Sequence, residues 1–105
     1  MTAQPKPLPI DPDAIPDRLR AAVLVQHGAD DPHVKRPEIE AFEAEMRAAK
    51  ADWQMIYYSG AVHSFTNPAA GDDPSRGAAY HAAADRRSWQ HLLAFLRDVF
   101  APAAP

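Results

Sequence analysis

Two short apolar runs, separated by one helix-length segment, leave this chain few folds to choose from. Ala22 to Gln26 (Ala-Val-Leu-Val-Gln) is continuous and ends at His27-Gly28; Trp53 to Tyr58 (Trp-Gln-Met-Ile-Tyr-Tyr) ends just before Ser59-Gly60. A continuous apolar run of that length suits a strand covered on both faces, as in parallel sheets. Aromatic and β-branched residues favour a strand for the second run as well. Between them, Pro37 to Lys50 reads as a helix. Pro37 fits its first position, Glu38 and Glu40 lie where the dipole favours acids, and Ile39, Phe42, Met46 and Ala49 recur at helical spacing. Glu43 and Arg47 stand four residues apart and can pair on its surface.

Strand, helix, strand is a crossover unit, which calls for parallel pairing. Ser59 to Arg76 holds Gly60, Pro68, Gly71 and Pro74 and reads as a long loop. Gly77 to Phe100 is helical in pattern, with a break expected near Asp85; Trp89, Leu92, Leu93, Leu96 and Phe100 form its apolar, core-facing side. The fold class is therefore α/β: a βαβα unit with a short parallel sheet and two main helical segments over residues 21–100. Residues 1–20 carry Pro5, Pro7, Pro9, Pro12 and Pro16 and are expected to be an extended tail, with a short turn or helical piece at Asp17 to Arg20. Residues 101–105 are expected to be disordered. Two parallel strands leave an edge unpaired and sheet surface uncovered, so the unit reads like the end of a larger sheet.

Composition removes several classes of function. The net charge is −3, and the eight Arg and three Lys are scattered among acids, so no basic face for nucleic acid is present. With no cysteine, disulfides, thiolate zinc sites and a Cys nucleophile on this chain are excluded. No apolar run approaches the roughly 20 residues of a membrane span, and no apolar leader opens the chain, so a cytoplasmic location away from membranes is expected. His33, His81 and His91 lack metal-ligand spacing, and no metal site is expected.

The chemistry-bearing residues fall into two loops. His27-Gly28-Ala29-Asp30-Asp31-Pro32-His33-Val34 follows the first strand, and Gly60-Ala61-Val62-His63-Ser64-Phe65 follows the second. In open parallel sheets the C-terminal strand edge is where active sites form. Adjacent strands would bring a carboxylate of the first loop to the imidazole of the second. Such a carboxylate orients the ring, sets its tautomer and stabilises the imidazolium formed when His takes a proton. The bland readings stand beside this one: His63 as an ordinary loop histidine, Asp31-Pro32 as a plain turn, His27 as support for a strand end, and Phe65 as core cover.

Gln26 to Pro32, Gly60 to Pro68 and Ala84 to Trp89 (Ala-Asp-Arg-Arg-Ser-Trp), in this order and spacing, resemble the C-terminal part of the dienelactone hydrolase family, from about Ala22 to Phe100. The resemblance implies a partial α/β-hydrolase fold, with Asp31 as triad acid and His63 as general base, and no metal or organic cofactor. Asp31 rather than Asp30 matches because the family pattern sets the acid three residues before an apolar residue, here Val34. Phe65 and Asn67 are the candidates for substrate contact.

Two departures accompany the resemblance. The nucleophile of α/β-hydrolases precedes the acid on a Gly-x-Ser-x-Gly or Gly-x-Cys-x-Gly elbow. Only 30 residues precede Asp31, and neither Ser59, Ser64, Ser75 nor Ser88 lies in such a motif; no oxyanion-hole sequence is visible either. Where dienelactone-specific members resemble one another in an Arg four residues beyond the histidine, this chain has Asn67, which cannot supply a charge-assisted fork. The expectation is therefore a fragment supplying the acid and base of a carboxylic-ester or lactone hydrolase, inactive alone and completed by a missing N-terminal half. The alternative is a non-catalytic, self-associating module derived from that fold. A homo-oligomer is expected on either reading.

Overall fold

The computed structural model describes residues 20–102. The expected tail over residues 1–20 and the turn at Asp17 to Arg20 lie, but for Arg20, outside that range, as do the last three residues of the expected C-terminal tail. The elements in chain order are β1 (Ala22–Gly28), α1 (Arg36–Ala48), β2 (Asp52–Tyr58) and α2 (Ala82–Val99), with 3₁₀ turns at Pro68–Ala70 and Pro74–Arg76 before α2. β1 and β2 pair in parallel, Ala22 opposite Asp52 and Gly28 opposite Tyr58. Both strands run slightly longer than their apolar cores, because pairing carries β1 through His27 and Gly28 and starts β2 at Asp52, opposite Ala22.

Side-chain alternation along these strands sets the layers. Trp53 faces α1: its ring meets Phe42 edge-on, with centroids 6.2 Å apart, and the Arg47 guanidinium lies 5.5 Å above it. Arg47 also pairs with Glu43 at 3.6 Å. Gln26 and Tyr58, of the opposite parity, face α2. The helices thus cover opposite faces of the two-stranded sheet. α1 begins at Arg36, one residue before Pro37, and the Lys35 backbone N–H donates to the Glu38 carboxylate at 3.3 Å. Ile39 is its buried anchor. The core beneath α2 is Tyr58, Ala61, Phe65 and Ala84, with Ile56 packed against it.

α2 differs from its sequence-based expectation in three ways. It starts at Ala82, not Gly77, because the preceding amides are taken by the loop. Ala79 N–H donates to the His63 carbonyl, Tyr80 N–H to Gly71 and His81 N–H to Phe65. His81 then caps the helix, its Nδ1 accepting from Ala84 N–H at 3.1 Å. There is no break at Asp85, whose carboxylate instead accepts from the Tyr80 hydroxyl at 2.7 Å.

The third correction concerns Trp89. Placed in the core by its spacing, it is 60% exposed, and Phe100 is 79% exposed. Helical geometry says which side they occupy. The Ser88 carbonyl accepts from Gln26 of β1, while His91, about 60° to one side of it, bonds Tyr58 of β2. Rotating the other way, Trp89, Leu96 and Phe100 fall some 80–120° from Ser88, on a side of the helix turned away from His91 and its contact with β2. They form an apolar stripe that the described residues leave exposed. Among the described residues, no helix is long and apolar enough to cross a membrane.

Candidate active site

The loops after β1 and β2 are tied together through their backbones. Ala29 N–H donates to the Tyr58 carbonyl at 3.0 Å, and Asp30 N–H donates to Ala61 at 2.9 Å. Gly28 makes this approach possible: a Cβ there would lie 2.7 Å from the carbonyl oxygens of both Ala61 and Val62. Gly60 turns the chain out of β2 with φ of +76°.

Of the two adjacent acids, Asp30 is exposed and its amide is spent on the loop contact, whereas Asp31 turns inward. The Asp31 side chain is 5% exposed, while that of His63 is 55% exposed. Asp31 Oδ2 lies 3.2 Å from His63 Nδ1, and Asp31 Oδ1 accepts from the His33 backbone N–H at 2.7 Å. Burial alone would raise the Asp31 carboxyl. The His33 amide, the His63 hydrogen bond and the nearby His63 and His27 rings outweigh it and hold the group below its ordinary value of 3.8. An ionised carboxylate only accepts, so His63 Nδ1 is the donor, and in the neutral ring the lone pair falls on Nε2. That tautomer is the one a general base needs.

His63 is held from behind by backbone pairing. Its N–H donates to Gly77 at 3.2 Å and its carbonyl accepts from Ala79 at 3.0 Å. Ser64, the next residue, has φ of +61°, the left-handed region that a non-glycine residue occupies at a cost of about 1–2 kcal/mol. The Asn67 amide steadies that turn by donating to the Ser64 carbonyl at 3.0 Å.

Asp31 and His63 line a cleft of about 460 Å³ with Gln26, Gly28, Phe65 and Ser88 among its walls. Phe65 is at once cleft wall and core: it is buried, its ring 5.4 Å from that of Tyr58. Asn67 stands outside the cleft walls, and its Oδ1 caps the first 3₁₀ turn by accepting from Ala69 N–H at 3.0 Å. His27, given no role from sequence, lines the same cleft. Sequence reasoning missed the Gln26–Tyr58–His91 network. Gln26 Nε2 donates to the Tyr58 hydroxyl at 3.1 Å, and that hydroxyl lies 2.7 Å from His91 Nδ1. Nothing in local spacing signals it, because the partners are more than thirty positions apart. Among the described residues no group of three or more His, Asp or Glu is arranged to hold a metal ion.

Comparison with known proteins matches this chain to one family. An uncharacterised protein of Caenorhabditis elegans is 44% identical over 81 residues, 76% of this chain and 51% of that protein. A putative carboxymethylenebutenolidase of Yersinia pestis is 35% identical over 86 residues, 82% of this chain and 30% of that protein. A solved dienelactone hydrolase-like promiscuous phosphotriesterase from metagenomic libraries superposes with a TM-score of 0.72 at 43% identity, over 79% of this chain and 35% of that one. A second solved structure, m3DLH, superposes with a TM-score of 0.76 at 40% identity, over 90% of this chain and 39% of that one. The chain thus spans a third to a half of the length of these relatives. The dienelactone hydrolase family model matches residues 5–100, nearly the whole chain, and the chain belongs to that family.

Proposed function

We propose that this chain supplies the general base, His63, and its orienting acid, Asp31, to a carboxylic-ester or lactone hydrolase whose nucleophile and oxyanion donors lie in the remainder of the fold. The observation that carries this reading is the 3.2 Å contact between a well-buried carboxylate and an imidazole exposed in a cleft. His63 Nε2 would take the proton of a Ser or Cys nucleophile as that atom attacks the ester carbonyl. The tetrahedral intermediate then expels the alkoxide, which takes the proton back from His63, and water hydrolyses the acyl-enzyme by the same relay. Asp31 stays ionised throughout and stabilises the imidazolium. Among the described residues neither Lys nor Arg lines the cleft, so this part of the site offers no guanidinium fork to a substrate carboxylate. The carboxymethylenebutenolidase name of one relative supports lactone chemistry.

The remainder of the fold has a place to join. Trp89, Leu96 and Phe100 are exposed, and the described two-stranded sheet leaves strand edges unpaired. That exposure also supports the second reading, a self-associating module in which the same surface meets another copy.

The deciding experiment is turnover of a p-nitrophenyl ester by the chain alone and after mixing with the part of a full-length relative that it does not cover. Activity that appears only on mixing, and is lost in His63→Ala, supports the hydrolase reading. A stable dimer by light scattering with no complementation supports the module. Turnover by the chain alone that survives in both Asp31→Ala and His63→Ala overturns the assignment of the pair.

A further inference from the structure

We infer that His33 is a positioning residue that fixes the ring of His63 against Asp31. The inference rests on the proposed function in treating His63 as the working base. His33 touches both members of the pair, by different parts of itself. Its backbone N–H donates to Asp31 Oδ1 at 2.7 Å, which leaves Oδ2 facing His63. Its ring meets the His63 ring nearly edge-on, with centroids 5.2 Å apart and planes at 76°.

The corner that this ring fills is built by a third segment. Gly77 lies in a left-handed turn with φ of +83°, and a Cβ there would stand 3.3 Å from His33 Nε2 and 3.1 Å from Pro32 Cγ. The carbonyl of the same Gly77 accepts the His63 backbone N–H. The turn that holds the His63 backbone thus also seats the ring that walls the His63 side chain.

A single hydrogen bond leaves an imidazole free to swing, because torsion about the bond joining ring and side chain is broad and roughly two-fold. A ring flip exchanges Nδ1 for carbon and breaks the contact with Asp31. At 3.2 Å that contact is long for a charge-assisted bond, so it needs help to hold one orientation. An aromatic edge against one side of the ring supplies it. His33 does this without touching substrate. Its spacing suited no metal site, and this geometry gives it a role as a wall instead.

The test uses the full chain and needs no partner. Ring ¹⁵N shifts measured by NMR at neutral pH report which nitrogen of His63 carries the proton. Wild type should show the Nδ1–H tautomer predominating. His33→Ala keeps the amide bond to Asp31 and removes only the ring, and should lower the ratio of Nδ1–H to Nε2–H tautomers about tenfold, the scale of one aromatic edge contact. His33→Phe, which restores a planar edge, should recover the wild-type ratio. His33→Leu, which restores bulk alone, should not, and this Phe/Leu contrast decides the matter if the alanine variant unfolds. An unchanged ratio in His33→Ala, or equal recovery by Leu and Phe, overturns the inference while leaving the pair intact. Mixed tautomers already in wild type would instead sink the Asp31–His63 pairing and the proposed function with it.

Discussion

Gly28 and Ala61 approach so closely that a methyl group on the Gly28 Cα would come within 2.7 Å of the Ala61 carbonyl oxygen. The two loops carrying Asp31 and His63 are therefore spaced by the absence of one side chain. Gly28→Ala should force them apart, since the obstructing atoms are backbone. Overpacking of this kind costs about 1–3 kcal/mol. Urea unfolding should register that loss, and the Nδ1–H tautomer of His63 should lose its predominance. A variant as stable as wild type with an unchanged tautomer would show that the loops can yield freely.

Acid sensitivity should trace partly to Asp31. Folded Asp31 titrates below the unfolded value near 3.8, so its contribution to stability is complete above that value and disappears as pH falls through the lower folded value. Asp31→Asn should be less stable than wild type at neutral pH, and the gap should close below about pH 4. Unfolding free energies across that range check it; a gap that stays constant would contradict the assignment.

The Tyr58 hydroxyl joins both strands to α2. Burial pushes its titration above the ordinary 10.0 despite the donor from Gln26. The neutral form is thus favoured in the folded chain, so this contribution is present below about pH 10 and is lost as pH rises through the folded value. Tyr58→Phe should cost about 1–2 kcal/mol at neutral pH through the lost bonds to Gln26 and His91. It should also flatten the alkaline limb of the stability profile. Gln26 keeps its bond to the Ser88 carbonyl, so the helix should stay docked.

Trp89 and Ile39 make an instructive pair. Ile39 is buried at 7% exposure, and Ile39→Ala should cost about 2–4 kcal/mol. Trp89→Arg, on the uncovered stripe, should change the stability of the dilute chain by no more than about 0.5 kcal/mol. The same change should abolish complementation, or self-association at high concentration, as read by sedimentation and ester turnover. Equal costs for the two variants in the dilute chain would mean that Trp89 is covered in solution.

Sequence alone determined the order and type of the elements, because periodicity and turn chemistry are local. The aromatic and β-branched residues of Trp53 to Tyr58, the apolar run from Ala22 and the acids after Pro37 each act over a few residues. The two motif loops were also legible, since strand ends mark where such loops must emerge. The resemblance picked Asp31 over Asp30, but local chemistry did not show the contact with His63, because that depends on a close approach between chain positions some thirty residues apart. Tertiary structure alone decided that the Asp31 carboxylate lies within 3.2 Å of His63, that Asn67 caps a turn, and that α2 starts at Ala82 with His81 as its cap. The amides from Ala79 to His81 bond to Gly71 and to the loop around His63, a competition no helical pattern records. It also decided that Trp89 faces outward: spacing puts residues on one side of a helix, but only neighbouring chain can cover that side.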